Sequence, residues 1–208
     1  MIAERMRADT VALTAVGLAC ALTSSAAFWL HMLGMVPMPF FINFVGRPSI
    51  VLLLILGLFA WHRQLSFWKR FRAGVAGGAM ALLAYDGIRF AIYASNLLDF
   101  YPFQTHRIFG YLITGESPAS EAAAIAGWLY HFWNGFSFAI IYALIAGPAS
   151  WYWGVAWAMI LEVAMLFTYP TLLDIKMSTG FVGVSLIGHT AYGAALGLTV
   201  SSLMQNAE

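Results

Sequence analysis

EAAAIAGWLYHFWNGFSFAIIYALIA, Glu121–Ala146, is the stretch whose reading decides the fold. At a rise of about 1.5 Å per helical residue it is long enough to cross the roughly 30 Å hydrocarbon core of a bilayer. Its one charged residue is Glu121, at the first position, yet His131 and Asn134 fall near its midpoint. A polar side chain at that depth has no water to bond and must find a partner on another helix. The stretch therefore predicts a multi-pass membrane protein with a polar centre, whose partners the rest of the chain has to supply.

Composition agrees. The 208 residues are 62% hydrophobic and only 9% charged, against about 25% charged in an ordinary soluble domain. A net charge of +1 with no Lys/Arg stripe leaves nothing to neutralise a phosphate backbone, which argues against nucleic acid as a partner. Eight Trp, nine Tyr and sixteen Phe suit the aromatic belts at the two faces of a membrane. The single cysteine, Cys20, rules out an intrachain disulfide framework, a four-cysteine metal site and a CxxC redox pair. Near the N-terminus Arg5 and Arg7 precede an apolar run, as in a signal peptide, but the run continues through Ala26-Ala27-Phe28-Trp29-Leu30. It is too long for a signal h-region and reads as a retained first span.

Six apolar segments reach spanning length: 10–33, 41–61, 73–97, 121–146, 151–169 and 180–203. The expected fold class is all-α, a polytopic bundle of six transmembrane helices forming one integral membrane domain over residues 1–208. Arg47-Pro48 interrupts the second segment, whose helix could start at Ser49 instead. A basic loop, 62–72, contains Arg63, Lys69, Arg70 and Arg72. The longest connection, 96–120, is rich in aromatics and predicts a short interfacial or re-entrant helix over 104–113, acting as an outer lid. Ser117-Pro118 reads as the cap and first residue of the fourth span. Lys and Arg place Arg5, Arg7 and the basic loop on one side, and Arg47, Arg107 and Lys176 on the other. The positive-inside rule then puts both termini in the cytoplasm, and so compact a bundle suggests a bacterial inner membrane.

Four charged or titratable groups on four spans fall at similar depth. By helical rise, His131 and His189 lie about 15 and 13 Å below the outer face, and Glu162 and Asp86 about 16 and 20 Å above the inner one. Asp86 and Arg89 are spaced i,i+3, which lets one helix face carry both charges as a local ion pair; Arg89 could equally clamp a substrate carboxylate. Glu162 has no cation on its own helix and needs a partner from another. His189, Gly193 and Gly197 share a face, so the imidazole points into a helix interface. His131-x3-Gly135 is echoed by His189-x3-Gly193, too short a match to establish a duplication. His31, His62 and His106 fall near span ends or in loops, where solvated roles are expected.

His131-Phe-Trp-Asn-Gly-Phe136 and the GHTAYGAALG that begins at Gly188 resemble the histidine-bearing helices of rhomboid intramembrane proteases, which also have six spans. The GxSG serine of that family is absent: Ser137 and Ser185 stand in GFSF and GVSL. No catalytic residue is carried over.

The residues support three classes of function. In the leading one, a membrane-embedded enzyme or cofactor protein acts on a lipid-soluble molecule. Its centre would be a divalent metal held by His131, Glu162 and His189, or, with less support, a b-type haem on His131 and His189. Glu162, Asp86 and Arg89 are the candidate catalytic groups, and Arg89, Asn134 and Tyr192 the candidate substrate contacts. The second class is a small proton-linked transporter that uses the same residues as a relay. The third is a structural or accessory subunit, whose partner would be a second copy of the chain or a larger membrane complex.

Overall fold

Hydrocarbon offers the backbone no hydrogen-bond partners, so an apolar run of this length must pair its own N–H and C=O groups as a helix. The structure, a computed structural model, describes residues 2–205, with side chains from Asp9 onward. The side chains of Arg5 and Arg7, on which part of the orientation argument rests, lie outside the described ones. The elements in chain order are α1 (Ile2–Met32), α2 (Met38–Phe41), a π-helical turn (Ile42–Gly46), α3 (Arg47–His62), α4 (Ser66–Ala94), α5 (Gln104–Thr114), α6 (Glu121–Ala146), α7 (Tyr152–Leu172) and α8 (Thr179–Gln205). No strand occurs among the described residues, and six helical segments are long and apolar enough to span a membrane. One of them is Met38–His62, in which α2, the π turn and α3 run on continuously.

Several boundaries differ from the sequence expectation, for local physical reasons. Pro48 has no N–H, and its ring crowds the carbonyl four residues earlier. Widening the preceding turn to π geometry absorbs both problems, so the helix passes through Arg47-Pro48 instead of starting at Ser49. α4 begins at Ser66, which puts Lys69, Arg70 and Arg72 in its first two turns and not in a loop. Arg70 donates from Nη1 to the Leu144 carbonyl at 2.6 Å, placing a cation at the C-terminus of α6 where the helix dipole favours one. The cap of α6 is Ser120, which accepts from the Ala123 amide at 3.1 Å. Ser117 accepts from the Ala119 amide at 3.3 Å and so closes the turn before it. α7 continues through Pro170 to Leu172; a proline so close to the helix end gives up only one bond of the final turn.

The bundle has two unlike ends, named here for what they carry. At the basic end α4 packs closely on α6 and α8, and α7 on α8: Ala73, Ala139, Ala143, Leu196 and Val200 are all buried in one cluster. A Cβ at Gly193 would press on the α7 backbone at Gly154 and Val155, and one at Gly197 would run into the Trp151 carbonyl. α7 and α8 therefore meet backbone to backbone, as small residues allow between membrane helices. α1 and α3 join through a second cluster that includes Phe67, Ala21 and Leu144. Val51, Leu54, Ile55 and Leu58 of α3 are left exposed, as expected of a lipid-facing side. At the opposite end α5 lies directly on the first turns of α6. A Cβ on Gly110 would overlap the Ala123 carbonyl, and one on Gly127 would overlap the carbonyl of His106. Those two glycines let α5 descend onto the bundle.

Candidate functional site

Along their own helices, Asp86 lies about 12 Å from the α5-side end of α4. His131, Glu162 and His189 each lie about 15 Å from the corresponding ends of α6, α7 and α8. The four groups therefore share a level beneath α5. A cavity of about 200 Å³ opens there, with Arg89, His106, His131, Asn134, His189 and Tyr192 in its wall.

Partner choice departs from the sequence expectation. Asp86 does not pair with Arg89, one turn away. It accepts from His131 Nε2, at 3.0 Å to Oδ2 and 3.2 Å to Oδ1. Arg89, 5% exposed, donates from Nη2 to the carbonyl of Pro102. Its guanidinium lies over the rings of Tyr85 and Phe103, 4.7 and 4.9 Å from their centroids. The i,i+3 spacing made a local pair available, but the 96–120 connection folds back and offers Arg89 a carbonyl and two aromatic faces. Among the described residues the cation thus has no carboxylate in ion-pair contact, and its Nε, in the cavity wall, has no partner.

Glu162 forms the second dyad. Its side chain is 1% exposed, and Oε2 lies 2.7 Å from His189 Nδ1. The same oxygen accepts from Ser185 Oγ at 2.7 Å. His189 Nδ1 also lies 3.1 Å from the carbonyl of Ser185, one turn back on its own helix. Facing two oxygen acceptors, Nδ1 carries a ring proton. The serine set aside in comparison with rhomboids is therefore a positioning partner of Glu162, legible only as the residue four before His189.

These two dyads do not merge into the expected metal centre. No group of three or more His, Cys, Asp or Glu side chains among the described residues is arranged to hold a metal ion. Tyr85 touches both imidazoles, with ring centroids 5.8 Å from His131 and 5.0 Å from His189. The proposed set of His131, Glu162 and His189 is thus split, with His131 turned to Asp86 and the other two paired with each other. A haem between His131 and His189 fits no better, because the Tyr85 ring contacts both and the cavity is smaller than a porphyrin. The residues present do not suit either group.

His106 is the largest correction. It is buried, 5% exposed, and not solvated at a span end. Its ring stacks on His131 at 4.2 Å and 29° and meets Trp128 edge-on at 4.3 Å. α5 is not one of the six spans, and on it burial, followed by the charges of His131 and Arg89, holds the His106 pKa well below its ordinary value. Its Nδ1 has no partner, nor do Thr105 Oγ1 and Asn134 Oδ1, all on residues lining the same cavity. Asn134 thus reaches the cavity as the sequence suggests. Tyr192 lines it too, but its hydroxyl is committed to the Gly135 carbonyl at 2.7 Å. The helical spacing in QTHRIFGYLIT that buries Thr105, His106, Phe109 and Gly110 on one side was the signal for a site element in α5.

No curated protein and no solved structure is measurably similar to this chain. Every polar residue of the cavity named above lies between positions 68 and 208, and over those residues, more than half of its length, the chain matches the model of the family of unknown function DUF6789 and therefore belongs to that family.

Proposed function

We propose that this protein is a membrane-embedded enzyme that binds a lipid-soluble molecule through a compact polar end and exchanges a proton with it. The observation that carries this reading is Arg89: a buried cation in a cavity wall, with no carboxylate partner among the described residues and an unpaired Nε. A charge left in that state is costly unless something pairs with it, and the complement is an oxygen acceptor such as a carboxylate, enolate or carbonyl. The unpaired Thr105 Oγ1, Asn134 Oδ1 and His106 Nδ1 would hold the rest of the polar end. At about 200 Å³ the space exceeds the roughly 150 Å³ that accommodates a benzene ring, so a ring-sized head with a tail left in lipid fits. α1 and α7 both line the cavity without packing extensively on each other, which offers a lateral route from the bilayer.

The dyads supply the acid–base chemistry. In each, a carboxylate holds one imidazole nitrogen and orients the other, so Nδ1 of His131 and Nε2 of His189 are the atoms that give or take the proton. Asp86 and Glu162 act through the histidines as positioning groups. Chemistry on a bound molecule is favoured over passage across the membrane because α7 and α8 meet backbone to backbone at the basic end, closing the path below the cavity. The orientation belongs to the same reading: both termini in the cytoplasm of a bacterial inner membrane, and α5 as a roof on the outer side.

Solvent extraction of the detergent-purified protein, followed by mass spectrometry, should release one small lipid-soluble compound in stoichiometric amount, absent from Arg89→Met. Added back to emptied protein, it should bind with proton uptake or release, seen by calorimetry as a heat that depends on the ionisation enthalpy of the buffer. Asp86→Asn should still bind but lose that dependence. Buffer-independent heat in the wild type would defeat the proton-exchange reading, and net flux of the compound across liposomes would replace the enzyme with a carrier.

A further inference from the structure

A second cavity, about 300 Å³ in volume, lies at the basic end between α6 and α7 and shares no lining residue with the cavity under α5. Its wall is made of Tyr142, Ile145, Ala146, Trp153, Trp157 and Ile160, with Ala149 from the connection. Two polar atoms there are buried without a partner, Tyr142 Oη and Trp157 Nε1. Tyr142 is 4% exposed and belongs to the core cluster against which Trp157 packs. A buried hydroxyl or indole N–H left unbonded is costly, and Tyr and Trp in such places normally find an acceptor. The indole can only donate and the phenol donates readily, while the other side chains of the wall are apolar apart from the Trp153 indole N–H. The missing partner is therefore an oxygen acceptor on an apolar molecule.

Depth narrows the choice. α6 has 26 residues, about 39 Å of helix, and so overshoots a hydrocarbon core of roughly 30 Å by some 4 to 5 Å at each end. Tyr142 stands four residues before the end of α6 and Trp157 five after the start of α7, placing them about 6 and 8 Å below the helix ends. That puts Tyr142 within a few ångströms of the hydrocarbon boundary, where the ester groups of membrane lipids lie, and Trp157, on the shorter α7, about one helical turn deeper. Ile160, also in the wall, is exposed, so an acyl chain can leave the crevice directly into the bilayer. Just above, the Arg70 guanidinium rests against Gly147, 3.3 Å from where its Cβ would be, between Ala146 and Ala149 of the wall. A cation at the mouth, donors at and just below ester depth, and hydrocarbon beyond match the order of groups along one phospholipid.

We infer that the α6–α7 crevice is a binding site for a glycerophospholipid, with an ester carbonyl accepting from Tyr142 and Trp157 and the phosphate beside Arg70. The site is independent of the α5 cavity and of any reaction there. Its test compares dioleoyl phosphatidylglycerol with the diether analogue, which has the same head group and chains but no ester carbonyls. Binding of each to delipidated protein in detergent is followed by native mass spectrometry. The ester lipid should form a one-to-one complex about fivefold tighter than the ether lipid for each hydrogen bond lost, and so 5- to 25-fold in all, by the usual worth of such a bond. In the Tyr142→Phe/Trp157→Phe double variant the preference should vanish while ether-lipid affinity stays within about twofold. Equal affinity for the two lipids in the wild type, a preference that persists in the double variant, or a lipid-free dimer that buries the crevice would each overturn the proposal. The wild-type comparison decides the matter even if the double variant does not fold.

Discussion

The two histidine–carboxylate dyads have the same composition and opposite settings. Asp86–His131 joins α4 to α6, with side chains 18% and 16% exposed, beneath a roof formed by α5. Glu162–His189 joins α7 to α8, with the carboxylate 1% exposed and a serine donating to the same oxygen, Oε2, while Oε1 has no partner among the described residues. A buried pair contributes little by existing but costs much when one partner is removed, because the other is left charged or unbonded. The first pair, whose His131 lines the cavity, loses less, because the group left behind can turn to a water or a bound molecule there. The comparison assigns the second dyad a large share in holding α7 to α8 and leaves the first the freer of the two to serve a bound molecule.

The largest expected effect tests that assignment directly. Glu162→Ala should lower stability by about 3 to 5 kcal/mol, since it strands His189 and Ser185 in the bundle interior, measured by thermal or SDS-induced unfolding in detergent. A loss below about 1 kcal/mol would make the two dyads equivalent and remove the distinction. Next comes the roof over the first dyad. Gly127→Val places methyl groups where the His106 carbonyl crosses α6 and should cost about 2 kcal/mol, as overpacking usually does. Hydrogen exchange in Gln104–Thr114 should rise while the basic end stays protected; uniform loss of protection would mean that α5 is not separable from the bundle.

Asp86→Asn, whose amide oxygen can still accept from His131, should change stability by no more than about 1 kcal/mol, yet abolish proton-coupled binding. A stability loss matching that of Glu162→Ala would contradict the freer role given to this dyad. The smallest effect is a pH dependence. His106 in the folded chain holds its proton less readily than in the unfolded chain, whose ordinary value is 6.5. As pH falls below 6.5 the unfolded state binds a proton that the folded state refuses, so stability declines; above 6.5 the contribution is flat. His106→Phe should flatten the slope of melting temperature against pH below 6.5, with no change above it. A slope that persists undiminished would place the pH response in the dyads instead.

Length and hydropathy are local properties, and they were enough to read six spanning helices and the short helix over α5 from the chain. Depth is local too, since it follows from counting residues along a helix. That is why the levels of Asp86, His131, Glu162 and His189 could be read in advance, apart from the error introduced by starting α4 seven residues late. Partner choice is not local. It depends on how each helix is rotated about its axis and how near its neighbour comes, and glycines at Gly110, Gly127, Gly193 and Gly197 set those distances through contacts between segments far apart in the chain.

Tertiary structure alone decided that Asp86 would choose His131 over the arginine one turn away, that Glu162 and His189 would close on each other with Ser185, and that Tyr85 would keep the two imidazoles from sharing an ion. It also drew His106 from a presumed solvated position into the cavity wall. Sequence determined that polar groups would meet inside a membrane, because an unsolvated charge must find a partner. Only the packing determined which partner, because in a bundle of helices hydrogen-bond geometry is satisfied across interfaces whose spacing no single stretch of sequence specifies.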